Sequence, residues 1–264
     1  MARMPTYFIS HGGGPWPWIE DMRRSFAVLE KSLAAMPDEI PETPKAILMI
    51  SGHWEADEVR VMHADQPGME YDYFGFPPHT YDVVYPAPGA PEIAEQVKAL
   101  LDAAGIEAVL DDTQGFDHGT FVPAYIMYPE AKVPVFQVSM LKGYDPEAHF
   151  RIGRALAPLR DEGVLIVGSG LSYHNLRRFG PQAEVPSKAF DDWLADALDA
   201  APETRTEALI HWEDAPYARI CHVQEDHLVP LFSALGAAED GKATRVYHED
   251  GVFGGVTASS WRFD

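Results

Sequence analysis

The sequence predicts a single α/β domain over residues 1–264, with a central, mostly parallel or mixed sheet flanked by helices. The main observation is a pattern that occurs three times: a short apolar run, typical of a buried strand, ends at serine or glycine and leads to a histidine. Ligands of open α/β sheets bind at the carboxyl ends of the strands. Three such histidines predict one shared site and suggest a metal there. The runs are residues 6–9 before His11, 46–50 before His53 and 164–167 before His174.

Length and charge argue against several classes of function. A chain of 264 residues can bury a large core. Its 20 basic and 41 acidic side chains give a net charge of −21, which argues against nucleic acid and anionic membranes as partners. The sequence has no stretch typical of a transmembrane helix or a secretory signal, and its single cysteine, Cys221, excludes an internal disulfide. We therefore expect a cytoplasmic protein, and its oligomeric state stays open.

Periodicity and the positions of glycine and proline predict the other elements. Apolar residues at helical spacing predict helices over residues 20–35, 91–104, 145–159 and 187–200. Pro37 and the prolines after it should end the first of these, and a last helix should begin at His227, because Pro230 fits only a first turn. Further strands are predicted at residues 59–62, 106–110 and 133–138. Residues 251–263 alternate in polarity and predict an edge strand.

Residues 71–89 form a long stretch that is dense in aromatic residues and prolines. Loops of this length often carry function. One interpretation is an aromatic lid over a pocket for a flat ligand, in which Phe74 and Tyr85 contact the substrate. The other is a surface loop whose rings pack on the core. Arg177 belongs to a local basic spot and could bind a carboxylate of the substrate, although a salt bridge to a nearby acid is commoner.

Five of the 11 histidines follow strands, adjoin glycine or begin a helix: His11, His53, His118, His174 and His227. Neutral imidazoles from separate strands suit zinc, iron or copper. The chain has no Cys-x-x-Cys and no His-Glu-x-x-His, which excludes zinc ribbons and the common zinc-protease helix. A serine nucleophile is poorly supported, because the residues around Ser169 do not complete Gly-x-Ser-x-Gly. For His222 a structural role is the better interpretation.

Several segments of the chain, in this order, resemble one family. They are Ser10-His11-Gly12, Ser51-Gly52-His53-Trp54-Glu55, the aromatic loop, Phe116-Asp117-His118-Gly119, Gly168-Ser169-Gly170 with His174-Asn175-Leu176, and Glu225-Asp226-His227-Leu228-Val229-Pro230-Leu231. The ordered set resembles the class III extradiol ring-cleavage dioxygenases, specifically the DOPA-dioxygenase-like branch, over nearly the whole chain. The protocatechuate 4,5-dioxygenase catalytic subunit is more distant. The chain departs from the family at His222-Val223, where His-Pro is common.

The resemblance implies a non-haem Fe(II) that binds O₂ and a substituted catechol, either DOPA-like or related. His11, His53 and His227 match metal ligands. His174 matches a fourth ligand in this branch and an acid/base in the more distant one, and His118 matches a residue that contacts the substrate. An all-histidine set lacks the usual carboxylate charge, so Zn(II) could occupy the same site. Two alternatives stay open: a zinc-dependent hydrolase that uses the same histidines, and a non-enzymatic binding module.

Overall fold

The computed structural model describes residues 2–264, which form a layered α/β structure. The strands are β1 (Thr6–Ser10), β2 (Ala46–Ser51), β3 (Glu55–Ala56), β4 (Val59–Met62), β5 (Ala108–Asp111), β6 (Val135–Gln137), β7 (Met140–Leu141), β8 (Val164–Gly170), β9 (Ala243–Val252) and β10 (Val256–Phe263). The helices are α1 (Glu20–Ser25), α2 (Ala27–Glu39), α3 (Pro91–Ala103), α4 (His118–Met127), α5 (Pro146–Leu156), α6 (Glu184–Asp199), α7 (Pro202–Ile210), α8 (Ala218–Cys221) and α9 (Val229–Gly236).

The central sheet has six strands in the order β6-β2-β8-β1-β10-β9. Strands β6, β2, β8 and β1 are parallel, whereas β10 and β9 extend the sheet in antiparallel fashion. The sheet is therefore mixed, and the predicted fold class is confirmed. Ser10 of β1 and Ser51 of β2 pair with Gly170 and Ser169 at the end of β8. This register brings the carboxyl ends of the three strands to one edge.

Helices cover both faces of this sheet. A Cβ on Gly168 would lie 2.2 Å from the carbonyl oxygen of Pro230 in α9, whereas the next residue, Ser169, donates through its hydroxyl to the carbonyl of Gly119 in α4. Successive side chains of a strand point to opposite faces, so α9 and α4 lie on opposite sides of β8. Among residues 2–264, no helix combines the length and the apolar composition that a membrane crossing requires.

Two elements differ most from the prediction, whereas α9 begins at Val229, only two residues after the predicted start at His227. The first predicted helix is divided at Phe26 into α1 and α2, and α2 continues through Pro37 to Glu39. Pro37 removes one hydrogen bond of the ladder, but this end of the helix still buries Leu33 and Met36. The predicted edge strand is β10, which lies inside the sheet between β1 and β9, and β9 forms the edge. The alternation of polar and apolar residues suggested one solvent-exposed face, but the serines of β10 are buried and form hydrogen bonds. The hydroxyl of Ser260, for example, accepts from the backbone N–H of Ser10 at 2.9 Å.

Candidate metal and catalytic site

His11 follows β1 directly, at the start of a turn of three glycines. Its backbone N–H donates to the carbonyl of Gly170 in β8 at 3.2 Å, and its carbonyl accepts from Nε1 of Trp16 at 2.9 Å. Gly14 has a φ of +54°, and a Cβ there would lie 2.7 Å from the ring of Phe76. The turn therefore requires glycine at this position. The His11 side chain is buried, and the turn fixes where it points.

His53 lies two residues after the end of β2, and a chain of hydrogen bonds fixes its position. Its backbone N–H donates to Oγ of Ser51 at 3.2 Å, and Ser51 Oγ donates to Oδ1 of Asp117 at 2.7 Å. Asp117 also caps α4 by accepting from the backbone N–H of Thr120. Burial raises the pKa of Asp117 to about 7. These bonds hold the end of β2 against the start of α4, where His118 is the first helical residue.

Asp72, from the aromatic loop, contacts both His53 and His118. Its Oδ2 lies 3.0 Å from Nδ1 of His53, and its Oδ1 forms a hydrogen bond of 2.8 Å with Nδ1 of His118. The backbone N–H of His118 also donates to Oδ1, at 3.1 Å. A carboxylate only accepts hydrogen bonds, so Nδ1 of His118 carries the proton and Nε2 of the neutral ring keeps its lone pair. Asp72 thus fixes the tautomer of His118 and places a carboxylate beside His53.

Asp226 makes the corresponding contacts with His227 and His174. Its Oδ2 lies 2.8 Å from Nδ1 of His227, and its Oδ1 lies 3.6 Å from Nδ1 of His174. The two rings stack with their centroids 3.4 Å apart. Burial raises the pKa of the Asp226 carboxyl, but its interactions with His174 and His227 outweigh burial and bring that pKa below its usual range. Asp226 therefore stays ionised and orients the His227 ring.

The five imidazoles form one cluster. The centroid of the His11 ring is 5.0 Å from that of His53, 5.2 Å from that of His118 and 5.2 Å from that of His227. The His53 centroid lies 4.0 Å from that of His118 and 4.7 Å from that of His227. His174 joins the cluster through its stacking on His227. All five histidines selected from the sequence are thus together.

Burial keeps three of these imidazoles neutral. It is the largest cause that lowers the pKa of His11 and of His53 well below the usual value, and neighbouring imidazoles add to it. Burial also lowers the pKa of His227 to about 4, although the hydrogen bond that its Nδ1 donates to Asp226 acts in the opposite direction. Neutral rings offer the lone pairs that a metal ion requires.

The residues fit a metal ion. Both ring nitrogens of His11 are buried and lack a hydrogen-bond partner among the described residues, which is unusual for buried polar atoms. The Nε2 atoms of His53 and His227 lie 3.1 Å apart, and because Nδ1 of His227 donates to Asp226, the Nε2 lone pair of His227 faces the His53 ring. A shared cation would satisfy both, since imidazole binds metal at about 2 Å. His118 is a further possibility, because one ring nitrogen each of His11, His53 and His118 lie within 4.8 Å of one another.

A cavity of about 330 Å³ adjoins the cluster. Besides the five histidines, Asp72 and the glycine turn, it is lined by Met22, Tyr73, Phe76, Leu171, Leu176, Phe179 and Phe253. The rings of Phe179 and Phe253 stack at 4.5 Å, and those of Tyr73 and Phe76 pack edge to face at 5.5 Å. Small-molecule sites occupy roughly 300–1,000 Å³, so this cavity suits a single aromatic ring with a small substituent.

The structure does not bring the three predicted substrate-binding residues to this cavity. Phe74 is 90% exposed, and Phe76, two residues later, lines the cavity instead. Tyr85 is buried in the core, where its hydroxyl donates to the carbonyl of Tyr128 at 2.9 Å. Arg177 is exposed and does not contribute to the lining. The aromatic loop therefore reaches the cavity through Asp72, Tyr73 and Phe76.

His222 and Cys221 support the site from the core. His222 is fully buried, and its Nε2 lies 3.1 Å from the carbonyl of Ser172. Its backbone also forms a bridge with that of His174. Burial lowers the pKa of His222 to about 3. Cys221 is buried, and its thiol donates to the carbonyl of Pro186. These contacts tie the segment before His227 to the segment that carries His174.

Known proteins resemble this chain over nearly its full length. The family described as "Catalytic LigB subunit of aromatic ring-opening dioxygenase" matches residues 5–263. Proteins named 4,5-DOPA dioxygenase extradiol are 38% identical in Beta vulgaris, over 98% of this chain and 96% of theirs, and 34% identical in Escherichia coli (strain K12), over 89% and 86%. The crystal structure of an uncharacterized protein from Escherichia coli K12 has a TM-score of 0.81 at 28% identity, covering 99% of this chain and 100% of that one.

Proposed function

This chain belongs to the class III extradiol dioxygenases, the family of the catalytic LigB subunit, and we propose that it opens the ring of a substituted catechol with O₂ at an Fe(II) site. The observation that carries the proposal is the convergence of five imidazoles on one small aromatic cavity, in a chain that the family matches from residue 5 to residue 263. No observation favours the zinc hydrolase or the binding module that the sequence alone left open.

We propose that His11, His53 and His227 hold the metal. Among the described residues, the two buried ring nitrogens of His11 have no partner, and the Nε2 atoms of His53 and His227 face each other at 3.1 Å. Fe(II) in this set would supply the one-electron chemistry that reaction with O₂ requires. The same neutral set suits Zn(II), which lacks that redox chemistry.

His118 is the proposed general base for a catechol hydroxyl. Its Nδ1 donates to Asp72, so its Nε2 is the atom that accepts a proton. The ring lines the cavity, so it would lie beside a bound substrate.

We propose that His174 also moves protons. Its ring is stacked on that of His227 at an interplanar angle of 23°. One ligand atom each of His174, His227 and Asp226 lie within 4.8 Å of one another, so a fourth metal ligand is the alternative role of His174. His174 lines the cavity, and its Nδ1 lies 3.6 Å from Oδ1 of Asp226.

The aromatic side chains hold the catechol ring and keep water away. Tyr73 and Phe76 approach from the aromatic loop, while Phe179 and Phe253 form a stacked pair in the lining. A flat ring gains both apolar burial and aromatic contacts in such a cavity. The partners we propose are thus a small aromatic molecule and O₂. A reducing compartment stays a prediction, based on the single cysteine.

Oxygen uptake tests the proposal. The full chain is loaded with Fe(II) without air and then given O₂ and a panel of catechols, while uptake and the yellow ring-opened product are followed. We expect uptake with Fe(II), none in a matched sample loaded with Zn(II), and a severe loss of bound metal in His53→Ala. The absence of uptake from protein that demonstrably holds Fe(II) would refute the proposed reaction.

A further inference from the structure

A second cavity lies next to the cavity beside the five histidines. The second cavity, which we call the side groove, has a volume of about 580 Å³. It is lined by Asp21, Met22, Ser25, Phe26, Glu249, Gly251, Val252, Phe253 and Gly254. Met22 and Phe253 also line the cavity of about 330 Å³ beside the histidines, which we call the main cavity. The two cavities therefore share a wall that these two residues form.

The Phe253 ring stands between residues of the two linings. It stacks on the ring of Phe179, a residue of the main cavity, with the centroids 4.5 Å apart. It also packs edge to face on Phe26, which lines the side groove, with the centroids 5.2 Å apart. A Cβ on Gly13, in the main cavity, would lie 3.5 Å from the Phe253 ring. The ring thus fills the space through which the main cavity would otherwise continue into the side groove.

The backbone holds this ring in place at the turn between β9 and β10. Phe253 has a φ of +51°, in the left-handed region that glycine adopts readily and phenylalanine rarely. Its carbonyl accepts from the backbone N–H of Gly180 at 3.0 Å. A Cβ on Gly255 would lie 2.2 Å from the carbonyl oxygen of Gly180, so the turn packs closely on this segment. A large side chain that is kept in an unfavourable backbone conformation points to a function of that side chain.

We propose that Phe253, together with Met22, determines how long a substituent of the catechol can be. In the native chain the two side chains close the main cavity, so a short substituent fits and a long apolar one finds no room there. Without the Phe253 ring, a long apolar substituent would extend into the side groove and pack on Phe26 and Val252. The burial of its apolar surface would then favour binding. The inference rests on the proposed catechol substrate and adds the residue that selects among catechols.

Anaerobic binding of two alkylcatechols tests this role. The full chain is loaded with Fe(II) and titrated by calorimetry with 4-ethylcatechol and 4-hexylcatechol, as the wild type and as Phe253→Ala. Burial of one methylene favours binding by about a factor of four, and the hexyl chain is several methylenes longer than the ethyl chain. We therefore expect the ratio of hexyl to ethyl affinity to rise at least about tenfold in Phe253→Ala. An unchanged ratio would overturn the inference.

Phe179→Ala is the matched control. Of the two linings, Phe179 belongs to that of the main cavity alone, so its truncation removes an aromatic contact without opening the shared wall. We expect Phe179→Ala to bind both catechols more weakly and to keep their affinity ratio close to that of the wild type. A rise of the ratio as large as in Phe253→Ala would contradict the role given to Phe253.

Two further variants locate the hexyl chain and do not depend on the β9–β10 turn alone. Met22→Ala opens the same wall from α1, so it should also raise the affinity ratio. Ser25 is exposed and lines the side groove. Addition of Ser25→Trp to Phe253→Ala should fill the groove and return the ratio toward that of the wild type. If neither variant changes the ratio, the hexyl chain does not enter the side groove and the inference is wrong.

Binding and turnover separate this inference from the proposed reaction. If the affinity ratio changes as expected but no catechol consumes O₂, the role of Phe253 is supported and the proposed reaction fails. If O₂ is consumed and the ratio in Phe253→Ala equals that of the wild type, the reaction is supported and the inference fails.

Discussion

Replacement of Asp226 by asparagine should weaken metal binding without unfolding the protein. The carboxylate accepts from Nδ1 of His227 at 2.8 Å and lies 3.6 Å from Nδ1 of His174. Asparagine has the same shape but no charge, and its amide can also present N–H to the ring. In that orientation Nδ1 accepts, the proton moves to Nε2, and the nitrogen that faces His53 cannot bind metal.

The hydrogen bond between His227 and Asp226 sets the size of the expected loss of metal affinity. A hydrogen bond to a charged group contributes about 1.5–3 kcal/mol, and 1.4 kcal/mol corresponds to about a factor of ten. We therefore expect Asp226→Asn to lower the affinity for Fe(II) or Zn(II) about 10- to 100-fold, in the range found when a ligand histidine loses its carboxylate partner.

Competition with a chromophoric chelator measures this affinity for the wild type, Asp226→Asn and Asp240→Asn. Asp240 is exposed and belongs neither to the histidine cluster nor to the cavity lining, so it controls for the loss of one negative charge. Thermal unfolding of the apoproteins checks that all three fold. Unchanged metal affinity in Asp226→Asn would refute the argument that this carboxylate orients a ligand.

Three further predictions concern the catalytic base, the aromatic loop and pH. His118→Ala should retain the metal and lose turnover, and loss of the metal would make His118 a ligand. Phe76→Ala should raise KM for the catechol severalfold, whereas Phe74→Ala, at an exposed position, should leave KM unchanged. Equal effects of the two substitutions would contradict the claim that Phe76, and not Phe74, contacts the substrate. The pKa of His222 is about 3 in the folded chain and near 6.5 in the unfolded chain. Between pH 6.5 and pH 3 the His222 imidazole therefore gains a proton only when the chain unfolds, which favours unfolding. Urea denaturation measures the free energy of unfolding, which should fall less in His222→Gln than in the wild type between pH 6.5 and pH 3. An equal fall in the two proteins would refute this account of the His222 pKa.

The sequence predicted the position of the site because strand ends are local features. A buried apolar run followed by glycine and histidine determines where the chain leaves the sheet, and parallel pairing then brings His11 and His53 to the same edge. The edge strand was predicted wrongly, because alternation does not report that a serine such as Ser260 is buried and bonded.

Side-chain partners in the loops could not be predicted, because they depend on tertiary packing. Asp72 lies 46 residues from His118 in sequence, and only folding of the aromatic loop brings the two together. In the same loop, neighbouring aromatic residues have opposite environments: Phe74 is exposed and Phe76 lines the cavity. Asp226, by contrast, directly precedes His227, and a carboxylate beside a candidate ligand is a signal that the sequence did contain.

The central claim is that both atoms of O₂ enter the opened ring. A turnover of the Fe(II)-loaded protein with ¹⁸O₂ and 4-ethylcatechol, followed by mass spectrometry and NMR of the product, tests it most directly. We predict a product that carries two labelled oxygens before exchange with water and is cleaved beside, not between, the hydroxyl-bearing carbons. An unlabelled product, a quinone, or cleavage between the hydroxyls would contradict the account.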